Sequence, residues 1–99
     1  MEKRLINPRG EIGKQMNPTE AIVGTRVKAL FNFAGVPRNT KGVIDEDYGT
    51  GVMVAWNLKD RPLPEGYTCF DGKPACITGI LRDGFDKNTE LHLLEKIAG

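Results

Sequence analysis

Four things are scarce in this chain: apolar runs, net charge, histidine and cysteine. No stretch approaches the ~20 consecutive apolar residues that a membrane-crossing helix needs, so no membrane association is expected. Fourteen Lys and Arg against thirteen Asp and Glu leave a formal charge of +1. No net field therefore draws the chain to nucleic acid or to an anionic surface, and only a local patch could. The opening "MEKRLINPRGEIG" lacks the apolar segment of a secretion signal, which sets a cytoplasmic expectation. In that compartment Cys69 and Cys76 are expected as reduced thiols. A zinc site built from them with His92, the single histidine, would have three ligands where structural zinc takes four in close-spaced pairs. The same shortage leaves a Cys-His nucleophile without an orienting group. Neither a metal, a cofactor nor a catalytic residue is expected.

What the chain does have is glycine, twelve in 99 residues, and glycine-rich turns suit short strands better than long helices. The length fits one small domain with a modest core. Residues 1–22 hold Asn7-Pro8, Asn17-Pro18 and scattered charges without a sustained apolar period, so they read as a flexible arm. Within it Asn17 can cap a helical turn that has Pro18 at its first position. From residue 23 onward the pattern is that of a mostly β domain. In "GTRVKALFNF" Val27, Ala29, Phe31 and Phe33 alternate with Arg26, Lys28 and Asn32, the period of a strand with one apolar face. In "VMVAWNL" Val52, Val54, Trp56 and Leu58 share a face, in β-branched and aromatic company. "YGTG" is short enough to join that strand to "GVIDED" as an antiparallel hairpin.

Residues 59–74 form a proline-stiffened loop, "ACITGIL" a short strand and "RDGFDKN" a turn. The tail "TELHLLEKI" fits two forms: a strand with Leu91 and Leu93 inward, or a helical turn with Leu91, Leu94 and Ile97 on one stripe. Val27, Ile44, Val52, Val54, Trp56 and Leu93 are the expected core.

Gly35 to Gly42 could pass for a phosphate-cradling loop. That motif needs glycine before its lysine and a hydroxyl residue after it, whereas Lys41 stands between Thr40 and Gly42. The acidic triplet Asp45–Asp47 lacks calcium-loop spacing and reads as a solvated strand end or an edge-protecting cluster. Candidates for binding are Arg38, Lys41, Tyr48, Arg61, Tyr67 and Phe70, cations and rings placed in or beside turns. Flat rings bind bases or peptides with little entropy loss, and cations such as these, with Arg26 and Lys28, suit phosphate.

At "GTRVKAL", "TKGVI" and "GVMVAW" the chain resembles the small SH3-like β-barrels, including the KOW modules of ribosomal and transcription-elongation proteins. Gly24, Val27, the Gly42-x-Ile44 step, the strand after it and the closing "ELHLLEKI" carry the likeness. It implies a five-stranded, strongly bent antiparallel barrel whose loops recognise a partner, protein or nucleic acid. A narrower likeness, in "GTRVK", "PEGY" and "LLEKI", is to the plasmid-borne type II dihydrofolate reductases, which build one active-site pore from four chains. The Val-Gln-Ile-Tyr run of that family has no counterpart, since "ACITGI" has neither glutamine nor tyrosine, and the activity is not carried over. The expectation is thus a non-enzymatic binding module, with an arm over 1–22 and a barrel over 23–99. Its alternatives are an oligomeric enzyme of the reductase type and a structural or assembly protein, and a homo-oligomer is compatible with each.

Overall fold

Strict alternation in "RVKA" makes the first strand, β1 (Arg26–Ala29), and buries Val27 and Ala29 while Arg26 and Lys28 stay half-exposed. The computed structural model describes residues 16–32, 35–72 and 79–97. After β1 come β2 (Lys41–Asp47), β3 (Gly51–Trp56), β4 (Leu81–Asp86) and β5 (Leu94–Lys96), with short 3-10 turns at Pro18–Glu20 and Leu91–Leu93. The strands form one antiparallel sheet in the order β4-β3-β2-β1-β5. Four are consecutive neighbours, and the last returns to the free side of β1. β4 and β5 are the two edges, with no ladder between them among the described residues. The sheet is open, not closed into a barrel.

One face of the sheet carries the main core. Val27, Ala29, Ile44, Val52, Val54, Trp56, Phe85 and Leu94 are buried there with Met16, Ala21, Val36 and Leu91. Each fully buried aliphatic side chain of this kind contributes about 1.5–3 kcal/mol. Trp56 lies edge-on to Phe85, ring centroids 6.1 Å apart. Its indole N–H donates to Asp83 Oδ2 at 2.8 Å, so the carboxylate on the core face of β4 has a partner. Five of the six expected core residues are fully buried; Leu93 is half-buried and packs on the core's edge.

Several sequence expectations need correction. "RDGFDKN" is not a turn: Arg82 to Asp86 belong to β4, whose alternation was hidden because Asp83 occupies a core-facing position. Ala75 to Thr78, most of the strand expected before it, lie outside the described residues. Phe31 is half-exposed because the strand ends at Ala29, and Phe33 lies outside the described residues. The tail combines both expected forms, a 3-10 turn followed by β5, and buries Leu91 and Leu94. Asn17 caps Pro18–Glu20 as anticipated, in a reciprocal capping box with Glu20. Met16 and Ala21, in the segment read as an arm, are buried in the core. The Asp45–Asp47 cluster is not simply a solvated strand end, because Asp45 is buried; the β1 ladder stops at Val43, and Glu46 and Asp47 pair with β3 alone.

Gly42 and Gly51 are required for space and not for backbone angle, since neither has a positive φ. A Cβ on Gly42 would stand 2.6 Å from the Ala55 carbonyl oxygen and 2.8 Å from the Trp56 ring. A Cβ on Gly51 would stand 2.6 Å from the Phe85 carbonyl oxygen. Backbone cannot yield as a flexible side-chain tip does. Gly42→Ala should therefore lower stability by about 1–3 kcal/mol, the usual cost of overpacking, read as a shift in the urea unfolding midpoint. An unchanged midpoint would show that β2 and β3 separate freely at this point.

Candidate functional site

Strand period places Arg26, Lys28, Lys41, Val43, Met53, Ala55, Arg82 and Gly84 on the face opposite the main core. That outer face has a small apolar cluster of Val43, Ala55 and Ile80, against which Leu63 and Tyr67 pack. The loop after β3 thus lies back across the sheet.

The fastening point is a β-bulge. Ile44 pairs with Val54 and Glu46 with Met53, so Asp45 is the extra residue in β2. A bulged residue leaves the ladder, and the Asp45 carbonyl accepts instead from the Phe70 amide at 2.9 Å. Its carboxylate is buried, 2% exposed. Arg82 grips it with two donors, Nε to Oδ2 at 2.8 Å and Nη2 to Oδ1 at 2.9 Å. The Tyr67 hydroxyl donates to Oδ2 at 2.6 Å. Arg82 Nη2 also reaches Glu46 Oε1 at 2.8 Å, and the guanidinium carbon lies 4.0 Å from the centre of the Phe70 ring. One carboxylate thereby holds β2, β4 and the loop at Tyr67 together.

Electrostatics follow the geometry. Burial works against the Arg82 charge, but hydrogen bonds and attraction from Asp45 and Glu46 outweigh it and push the guanidinium further toward the charged form. Burial raises the Tyr67 phenol well above its ordinary range, and the hydrogen bond and charge of Asp45 add to the effect. The latch groups are thus committed to one another. Their role is to position the Pro64–Tyr67 turn, itself closed by the Tyr67 amide donating to the Pro64 carbonyl at 3.0 Å.

Two clefts flank Tyr67. The first, of about 330 Å³, lies between the turn and the β1–β2 part of the outer face, lined by Arg26, Lys41, Asn57, Leu63, Glu65 and Ile97 among others. The second, of about 370 Å³, runs past Phe70, Asp71, Ile80 and Arg82. Lys28 stands opposite Lys41 in the ladder, but Glu95 on β5 engages it at 3.4 Å. Neither Arg26 nor Lys41 has an ionic or hydrogen-bonding side-chain partner among the described residues.

Of the candidates read from sequence, Lys41, Tyr67 and Phe70 come together around the two clefts. Arg38 sits exposed in the β1–β2 link, its amide bonded to Asn32 Oδ1 at 2.7 Å. Arg61 is exposed in the turn after β3. Tyr48 is half-exposed at the hairpin tip, its hydroxyl over Gly51 and Gly84. None of these three lines either cleft beside Tyr67. Sequence reading missed Asp45 and Arg82 as a pair, because they lie in different strands and Arg82 was assigned to a turn. The only clue was an acid set inside the apolar-flanked "GVIDED". Cys69 is a free, exposed thiol, and Cys76 lies outside the described residues. No group of three or more metal-ligating side chains occurs among the described residues, and no described helix is long and apolar enough to cross a membrane. Compared with protein-family models, characterised proteins and solved structures, the chain matches none.

Two outcomes follow from the latch. Arg82→Met leaves the buried Asp45 charge without its counter-ion and should cost about 3–5 kcal/mol; adding Asp45→Asn should recover part of that loss in the same urea titration. Recovery of nothing would mean the carboxylate is already hydrated. The raised Tyr67 phenol binds its proton more tightly folded than unfolded. Its contribution is therefore complete below the ordinary phenol value of 10.0 and declines as the pH climbs past it. Between neutral and strongly alkaline pH the wild type should lose more stability than Tyr67→Phe, and parallel losses would count against the hydrogen bond.

Proposed function

We propose that this protein is a non-enzymatic binding module, a single SH3-like domain that engages a macromolecular partner through its outer sheet face and the loop latched there. The strand order supports the reading. A meander of four strands, with the fifth returning to β1, is one hydrogen-bonded seam short of a barrel, and the bulge in β2 supplies the local bend that such a shape needs.

The observation that carries the function is the pair of unpartnered cations, Arg26 and Lys41, beside a Tyr67 turn that the latch holds in place. Cations that serve only a solvated face need no such wall. Between protein and nucleic acid, a single-stranded nucleic acid suits this face better, because it offers both phosphates for the cations and flat bases for the loop rings.

Fluorescence of Trp56 and the tyrosines, or competition where the signal is silent, should report saturable binding of random single-stranded nucleic acid. Affinity should fall with salt at a log–log slope of about 0.7 per phosphate neutralised. Arg26→Gln with Lys41→Gln should weaken binding and flatten that slope by about 1 to 2 units. A flat titration at both low and moderate salt would remove nucleic acid and leave a protein partner for this face.

A further inference from the structure

The first cleft has a donor-rich floor and an apolar wall, and we infer that it is a phosphoryl-binding site that takes one phosphate together with the ring or chain attached to it. This inference rests on reading the outer face as the binding surface, and it specifies which chemical group that surface holds.

Three side chains on the cleft offer donors. Arg26 projects from β1 and Lys41 from the start of β2, both on the outer face and both without partners among the described residues. Asn57 follows β3, and its Oδ1 already accepts from the Leu63 amide at 2.9 Å, which leaves its NH2 group for a ligand. The Asn57 amide donates to the Lys41 carbonyl at 2.8 Å, which ties that residue to β2. The neighbouring cation Lys28 is excluded from the set because Glu95 holds it. Leu63, Pro64 and Tyr67 of the loop line the cleft too, with Ile97 beside Arg26, and offer apolar surface to whatever carries the phosphate. A volume of about 330 Å³ lies at the low end of small-molecule sites, ~300–1,000 Å³. It suits a phosphate and one attached group, not a long ligand.

Among the described residues the single acid on the cleft is Glu65, in the latched turn, and it makes no ion pair with Arg26 or Lys41. Its charge opposes an incoming phosphate, so Glu65 sets affinity downward while the two cations set it upward. Guanidinium, ammonium and amide donors on one cleft suit an oxyanion with several acceptor oxygens. A neutral or cationic ligand would leave both cations uncompensated.

The group could come from a terminal phosphate monoester or from a phosphodiester within a strand. Three probes separate them on the full chain at low salt: inorganic phosphate, adenosine monophosphate, and a dinucleoside monophosphate with no terminal phosphate. Amide NMR shifts should move at Gly42, Asn57, Gly66 and Tyr67 with the first two, and with the third as well if internal phosphates are accepted. Lys41→Gln should weaken binding about tenfold, the loss of one charge-assisted hydrogen bond, with an unchanged unfolding midpoint. Glu65→Gln should tighten it severalfold. Shifts confined to other regions, or affinities indifferent to both substitutions, would overturn the assignment. Failure of all three short probes while a longer single strand still binds would overturn the phosphoryl site and leave the nucleic-acid reading intact. Failure of short and long ligands alike would remove both.

Discussion

A carboxylate charge removed from water must be matched, and nearly everything on the outer side of this sheet follows from how Asp45 is matched. An unpaired buried carboxylate costs several kcal/mol. Here the match comes from β4 through Arg82 and from the loop through Tyr67, with the Phe70 amide on the backbone carbonyl of the same residue. The loop has only a minor apolar attachment, Leu63 and Tyr67 on Val43, Ala55 and Ile80. Directional bonds thus do for the loop what burial does for the core. Burial would hold it against the sheet, whereas a bidentate guanidinium and a phenol fix where it sits.

The two sides of the sheet divide the labour accordingly. The inner side is closed by aliphatic and aromatic packing, and the Trp56 indole and Asp83 carboxylate satisfy each other inside it. The outer side is polar, mixed in sign and held by pairs: Asp45 and Glu46 with Arg82, and Lys28 with Glu95. Against that pattern of neutralisation, Arg26 and Lys41 are exceptions, and they meet at one cleft. Local charge, and not the net charge of +1, is what gives this face its chemical character.

Strand content was legible because most inner-face positions obey the period-two rule. Val27, Ala29, Val52, Val54 and Trp56 could be placed from the sequence, and the short "YGTG" link marked the hairpin. β4 was not legible, since its core face reads Leu81, Asp83, Phe85 and the middle residue is an acid whose indole partner lies 27 positions away. Asp45 and Arg82, 37 positions apart, are invisible for the same reason: a charge pair across strands has no local signature. The turn at Pro64–Tyr67 could be read as a turn, but what it faces depends on that pair. Lys41 and Tyr67 were candidates by residue type, and their meeting is a property of the fold.

The bulge at Asp45 also fixes parity along β2. Side chains before it and after it alternate out of step by one position, which is how Ile44 faces inward while Asp45 and Glu46 both serve the outer side. Removing Asp45 would restore a plain ladder and delete the latch carboxylate, and removing a residue on either side of it would close the bulge only by turning over the residues in between. The strand is therefore indifferent to many substitutions on its exposed positions but intolerant of a change in length by one. A sequence drifting under selection would keep the count of residues here longer than it kept their identity.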